Sequence, residues 1–431
     1  MVTASEQVGV NVVKAWQRHL AWVPTLFMVR AIPYVAILAL VPIVLNRLRV
    51  SNSLNLFCCS LALIPIILRP LLSRYARQRI SCQRLILLTQ LAMGLLFLAM
   101  GGALRLRWGL MAFIPLFYVL SVVAAFHDVG VSRYFMICSE RRFSPFLSAT
   151  RAAATCAAFA LALGIPAMVG GNLEVIYRRI PQSWSTVCLL MGGVLLILAA
   201  YHKLLLVPLG EQLTPSRNDY KSLLLLDFHK LSSRRYFRFE LFFLILYLLP
   251  EGFFYRVGIL FLGDLGSNGG LSLSPQELGF TQGTVGAFGL LLGCLLGGRC
   301  IHLHGFRYWL WPMTLALTLP KVFYAMMAYT LTTSLGLITV SVFLEQLGFG
   351  FGLMAFVAYL THLSHGYHPV MFFSYCFAIA VTGLMCASAV SGLAADYLGY
   401  RLYFLILMVF SASSYLAAAL VRTEPIDGLK R

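Results

Sequence analysis

The chain has 431 residues, 60% of them hydrophobic and 11% charged, with a mean hydropathy of +0.84. A soluble chain of this length needs far more polar surface to cover its core, so the composition excludes a large soluble helical protein and points to a polytopic membrane protein. The net charge is +18, but the arginines and lysines fall mostly in short segments between apolar runs, which is topology charge and argues against a nucleic-acid partner.

A spanning helix needs about 20 apolar residues. Twelve runs meet that length: 22–45, 54–73, 85–104, 109–131, 147–170, 184–207, 239–263, 276–298, 308–331, 334–360, 369–392 and 402–421. The first is too long for a signal-peptide core and no A-x-A site follows it, so it is expected to be retained. The longest polar interval, 208–238, divides the chain into a six-helix bundle at 1–207, a cytoplasmic linker, and a second six-helix bundle at 239–431. Within the linker, "YKSLLLLDFHKL" (220–231) reads as a short surface helix beside the membrane.

With the N-terminus inside, the inner segments carry Lys14, Arg18, Arg74, Arg77, Arg79, Arg84, Arg133, Arg141, Arg142, Arg217 and Lys221 in the first part of the chain. Further on they carry Lys230, Arg234, Arg235, Arg238, Arg299, Arg307, Arg422, Lys430 and Arg431. The outer segments hold Arg47, Arg49, Arg105, Arg107, Arg178, Arg179 and Arg401. The bias predicts that both termini are cytoplasmic, although the outer arginines of the first half run against it.

Two local matches suggest an internal repeat. "RAIPYV" (Arg30–Val35) in the first run aligns with "EGFFYR" (Glu251–Arg256) in the seventh, each placing an ionisable residue four positions before a tyrosine, Tyr34 or Tyr255. "FHDVGV" (Phe126–Val131) in the fourth run aligns with "LEQLGF" (Leu344–Phe349) in the tenth. A duplicated six-helix unit is the architecture of the major facilitator superfamily, whose substrate site lies near the midplane between the halves. The expected fold class is therefore an all-α polytopic membrane protein of twelve spanning helices arranged as a 6+6 pseudo-repeat.

Ionisable residues inside apolar runs cost about 2.5–3.5 kcal/mol each on insertion scales, so each asks for a reason. They are Arg30, His127, Asp128, Arg151, Glu251, Arg256, Lys321 and Glu345. Most lie in runs 1, 4, 7 and 10. Glu251 and Glu345, with Gln346 beside the latter, are candidates for proton exchange. Arg30 and Lys321 are candidates for binding an anionic group or acting as counter-ions, with Tyr34 and Tyr255 nearby. Asp128 and Arg151 are expected to form a gating ion pair between helices 4 and 5, with His127 adjacent. Arg256 is expected to reach outward, in a gating position.

Other patterns carry less. Gly348, Gly350 and Gly352 in "GFGFG" lie in an apolar helix with no preceding strand, so they read as sites of close helix approach, not as a nucleotide loop. No G-x-x-x-x-G-K-[ST] is present, which argues against an ATP-driven pump. The ten cysteines lie mainly in apolar runs and read as packing residues. The histidines of "HLSHGYH" (His362, His365, His368) and "HLH" (His302, His304) are too loosely spaced for a metal site and read as solvated loop residues. No nucleophile motif points to an enzyme.

"WVPTLF…IPYV", "HDVG", "LPE", "WLWPMTLALTLP" and "EQLGFGFG", together with "GLAADYLGYR" (Gly392–Arg401), resemble the AmpG-type muropeptide permeases, a branch of the major facilitator superfamily that is also similar to acetyl-CoA transporters. The resemblance runs over most of the chain. It implies proton-driven import of anhydromuropeptides across a bacterial inner membrane by a monomer in the lipid bilayer, with a small-molecule substrate, the proton gradient as driving force and no cofactor. The chain departs from the family's pattern at Arg30, where an acidic residue is common, at Ser73, where an aspartate often closes helix 2, and at "VSRY" after "HDVG". Two other readings remain beside transport: a degenerate transporter fold acting as a sensor or scaffold, and a membrane enzyme.

Overall fold

The structure, a computed structural model, describes residues 21–138, 144–207, 226, 228–364 and 369–421. Most of the expected linker and its surface helix lie outside the described residues, as do Lys14, Arg18, Arg141, Arg142, Arg217, Lys221, His365, His368, Arg422, Lys430 and Arg431.

The helices are numbered α1 to α12 in chain order. The first six are α1 (Ala21–Arg47), α2 (Asn52–Ile67, bent by 49° into Arg69–Arg79), α3 (Cys82–Ala103), α4 (Gly109–Cys138), α5 (Thr150–Tyr177) and α6 (Ile180–Leu205). Then come α7 (Phe237–Gly263), α8 (Pro275–His304), α9 (Phe306–Thr318 and Lys321–Thr330) and α10 (Leu335–Ser364). The last run, Met371–Leu420, is two helices meeting at Gly399, whose φ of 70° breaks the helical path; they are α11 (369–398) and α12 (400–420). Among the described residues nine helices are long and apolar enough to cross a membrane, ten if the bent α2 counts as one. The broken α9 and the division at Gly399 account for the other two, so all twelve expected runs are helical.

The breaks have identifiable causes. α2, α7 and α9 each restart with a proline in the first turn, at Pro70, Pro250 and just before Lys321 at Pro320. Proline lacks the N–H that would continue the ladder, and lipid tolerates such a gap only where protein covers it. Helices α1, α5 and α8 contain wider π turns at Ala36–Leu40, Ala160–Gly164 and Gly279–Gly286.

The bundle has two unlike ends. α1 begins and α12 ends at one of them, the terminal end; the other, carrying the α1–α2 and α7–α8 loops, is the far end. One large apolar cluster fuses the two sets of helices from mid-depth to the far end, joining Ile37, Leu40 and Val44 of α1 to Phe261 of α7 and Tyr400 and Phe404 of α12. Toward the terminal end the cores separate. Trp22, Phe27 and Tyr134 belong to a cluster of the first six helices, and Phe243, Tyr247, Phe306 and Tyr359 to one dominated by the last six.

Helix crossings rely on glycine where backbones touch. A Cβ on Gly348 would lie 2.1 Å from the Ala316 carbonyl oxygen of α9, and one on Gly350 would lie 2.4 Å from the Leu290 carbonyl oxygen of α8. The "GFGFG" stretch is thus a seam on two faces of α10, as expected for small residues in a membrane helix.

Candidate functional site

Two charge clusters sit inside the helices at mid-depth, one in each half, the first partly buried and the second fully so. In the second half, Lys321 donates to Glu251 Oε1 and, at 2.6 Å, to the Leu317 carbonyl beside the break in α9. The lysine is 1% exposed and the glutamate 5%. Their placement follows from parallel local sequences, "LPE" (249–251) and "LPK" (319–321): each puts its charge on the first turn after a proline restart. A carboxylate is favoured at that end of a helix and an ammonium is not, so Glu251 offsets the position that Lys321 occupies. Lys321 Nζ also lies 5.1 Å from the centre of the Phe254 ring.

Glu345 of α10 completes this cluster. It is buried, its Oε2 accepts from Gln346 Nε2 at 2.8 Å, and it interacts electrostatically with both Glu251 and Lys321. Tyr255 lies within the same field, and Tyr324 accepts a hydrogen bond from Gln282 Nε2 at 3.0 Å beside it. Glu251 Oε2 and Glu345 Oε1 are buried with no hydrogen-bond partner. Two carboxyls face one ammonium, and two of the four carboxyl oxygens remain open to a proton or a ligand.

In the first half the imbalance is reversed. Asp128 of α4 pairs with Arg30 of α1, and its other oxygen lies 3.1 Å from Arg69 Nε at the bend of α2. Arg69 also donates to Ser132 Oγ at 3.0 Å, one turn beyond Asp128, and stacks 5.8 Å from the ring centre of Phe377 on α11. Tyr34 donates to the Ala124 carbonyl at 3.2 Å, tying α1 to α4 one turn away. Arg151 does not pair with Asp128 as expected. Its guanidinium lies between the rings of Phe27 and Phe135, 4.6 and 4.4 Å from their centres, still within the field of Arg30, Asp128 and Arg69. Asp128 is already saturated by two closer guanidinium groups, and Arg151 takes the aromatic faces that α1 and α4 offer.

Arg256 corrects a second expectation. It does not reach outward: it is 2% exposed and bridges the halves. From α7 it donates to Ser60 Oγ at 2.9 Å and the Cys59 carbonyl at 3.0 Å on α2, and to Ser388 Oγ at 2.9 Å on α11. The far-end core packs over it, leaving no path for the side chain to water. His127 also lies away from the interface between halves. It is fully buried against α3, its Nδ1 2.9 Å from Thr89 Oγ1. Beside it, His202 of α6 contacts Gln90 Oε1 at 3.1 Å and Thr25 Oγ1 at 3.0 Å.

The far end is latched by polar groups from both halves. Asp264, after α7, accepts from Asn46 Nδ2 at 2.6 Å, from Asn52 Nδ2 at 3.0 Å and from the Tyr400 hydroxyl. Ser53 bonds Asp396 through its backbone N–H, 2.8 Å, and its hydroxyl. Gln276 reaches Asn172 at 3.4 Å. Replacing Asp264 with alanine strands three donors that converge across the interface. It should loosen this end by about 1–3 kcal/mol. Pulsed EPR distances between labels on the α1–α2 and α7–α8 loops check this: they should broaden and lengthen in the variant.

No protein-family model and no curated protein matches the sequence. Solved structures do. A POT family transporter in complex with 5-aminolevulinic acid superposes with a TM-score of 0.70 at 9% identity, covering 94% of this chain and 97% of the other. The nucleoside transporter NupG superposes with a TM-score of 0.68 at 13% identity, covering 93% and 98%. The chain has the major facilitator fold.

In a major facilitator fold, substrates bind near the midplane between the halves. Here the first half brings Arg30, Tyr34 and Asp128 together with Arg69, and the second half brings Glu251, Tyr255, Lys321, Glu345 and Gln346 into a separate buried group. Arg151 borders the first cluster, Arg256 ties the halves above them, and His127 belongs to packing within the first half. Sequence reasoning missed Arg69, Asp264, Asn46, Asn52 and Glu174. Arg69 had a readable signal, an arginine inside run 54–73 directly before a proline, and the "LPE"/"LPK" correspondence marks Glu251 and Lys321 as a matched pair. The latch residues lie in or beside loops, where no periodic pattern singles them out.

Proposed function

We propose that the chain is a secondary transporter that moves a small anionic metabolite together with a proton by alternating access. The observation that carries this reading is the opposite imbalance of the two mid-depth clusters: three arginines around one aspartate in the first half, two carboxyls around one lysine in the second. Unbalanced charge is costly inside a membrane and marks substrate and ion pathways. The arginine side suits a carboxylate or phosphate, which planar guanidinium groups hold in two-point contact. The carboxyl side suits a proton, because one proton on Glu251 or Glu345 leaves a neutral cluster.

The asymmetric packing supports the alternating part of the proposal. Shared core and latch join the halves at the far end, while separate cores at the terminal end let them part there without exposing one common core. The resemblance to AmpG-type permeases makes an anhydromuropeptide, an anionic sugar–peptide, the first substrate to try, taken up across a bacterial inner membrane with both termini in the cytoplasm. On this reading the chain is no enzyme and needs no cofactor beyond the gradient.

Counterflow tests the substrate. Proteoliposomes loaded with unlabelled anhydromuropeptide should accumulate external labelled compound at least tenfold above empty liposomes. An Arg69→Gln variant should lose that uptake. If neither anhydromuropeptide nor any anionic peptide or sugar acid exchanges, the transport proposal fails.

A further inference from the structure

The outer arginines of the first half, which run against the charge rule, gain a role from a groove beneath them. The far-end rim of α1–α6 holds Arg47, Arg49, Arg105, Arg107, Arg178 and Arg179. Among the described residues its one acid is Glu174, which is already engaged by Arg47 at 3.1 Å and by Trp184 Nε1 at 2.8 Å. Arg105 donates to Ser185 Oγ at 2.8 Å. Arg178 and Arg179 form the tip of the turn between α5 and α6, are exposed, and contact no carboxylate among the described residues. Arg178 closes α5 in the left-handed conformation, φ 53°, which makes the turn abrupt. Exposed Trp108 and Tyr177 on the same rim are aromatic residues of the kind that sit at a membrane–water interface.

Below this tip, α1, α5 and α6 enclose a side cavity of about 220 Å³ that opens outward. Every lining side chain is apolar, among them Ile32, Leu161, Ile165, Val169, Val187 and Val194. For comparison, an engineered apolar cavity of about 150 Å³ takes up benzene. At a rise of 1.5 Å per residue, Val169 lies about 13 Å and Leu161 about 25 Å below Arg178 along α5. With half the hydrocarbon core about 15 Å thick, the groove lies deep, from near the end of one leaflet's hydrocarbon into the other, and takes the far part of an acyl chain, not the stretch directly under a headgroup held at the rim.

We infer that this groove and the Arg178–Arg179 tip form a binding site for one anionic phospholipid, with the phosphodiester headgroup on the two arginines and an acyl chain between α5 and α6. Charge complementarity selects the headgroup. A fully apolar lining selects a hydrocarbon chain. The site is independent of the transport reading, because none of its residues belongs to either mid-depth cluster. It backs onto α1 through Met28 and Ile32, on either side of Arg30, and onto the π turn of α5 through Leu161.

The test is native mass spectrometry of the full chain in detergent, titrated with phosphatidylglycerol or with phosphatidylcholine of the same acyl chains. One phosphatidylglycerol should be retained at least tenfold more tightly than phosphatidylcholine. The double variant R178Q/R179Q should lose that preference. Val194→Trp, which fills the groove without touching the rim, should weaken phosphatidylglycerol at least tenfold. Lys203→Gln, exposed at the opposite end of α6, should leave binding unchanged and shows that a charge lost elsewhere on the helix is not enough. Equal retention of the two lipids overturns the inference. So does phosphatidylglycerol affinity within twofold of wild type in either the double arginine variant or Val194→Trp.

Discussion

Lys321→Met is expected to be the most damaging single substitution in the membrane-embedded part of the chain. The lysine is 1% exposed and is the only cation facing Glu251 and Glu345 among the described residues. Removing one partner of a buried ion pair costs about 3–5 kcal/mol, because the stranded charge keeps its desolvation penalty. The variant should therefore unfold at a clearly lower temperature in detergent, and its transport should fall at least a hundredfold. Charge balance makes a sharper version. Lys321→Met combined with Glu251→Gln again leaves a single carboxyl to be neutralised, and most of the lost stability should return. Thermal unfolding of the two single variants and the double variant measures the coupling directly. A double variant no more stable than Lys321→Met would mean that Lys321 acts through packing on Phe254 and Leu317, not through charge.

Gly283→Leu is the second large effect. A Cβ at this position would lie 2.2 Å from the Cα and N of Gly164, so α8 and α5 meet backbone to backbone. Both glycines sit in π turns, and backbone cannot swing aside as a flexible side chain can. The substitution should disfavour the far-end-closed packing by about 1–3 kcal/mol, a shift of roughly 5- to 150-fold in the balance between conformations. Label pairs across the far end should report a longer distance, and cysteines placed near Asn46 should become reactive to aqueous reagents. Gly193→Leu on α6 is the control, since a Cβ there meets nothing within 4 Å. It should leave the distances unchanged.

The fold was legible because spanning helices announce themselves one run at a time, and twelve apolar runs map onto twelve helical regions even where α9 breaks and α11 joins α12. Buried charge was legible for the same reason: an ion in an apolar run stands out. What pairs with what was not. Asp128 lies closer in sequence to Arg151 than to Arg30 or Arg69, yet the bend of α2 and the crossing of α1 bring the latter two to its carboxylate. Arg256 looked near enough to an end to reach water, but the shared far-end core covers it, and that core exists only once both halves are packed. The latch on Asp264 joins residues 46, 52 and 400, separations that no local pattern encodes.

The division of the chain into 1–207, a linker at 208–238 and 239–431 remains a proposal, and the rocking of its two bundles is the motion that the far-end latch would control.

Proton coupling through the second-half cluster is the central claim. The most direct measurement is substrate-driven proton uptake into proteoliposomes carrying a trapped pH dye, comparing wild type with Glu345→Gln. In wild type, adding the transported anion outside should acidify the lumen. In Glu345→Gln the remaining Glu251–Lys321 pair is neutral without a proton, so counterflow exchange should persist while acidification disappears. Acidification that is undiminished in Glu345→Gln and also in Glu251→Gln would contradict the assignment of the proton to this cluster.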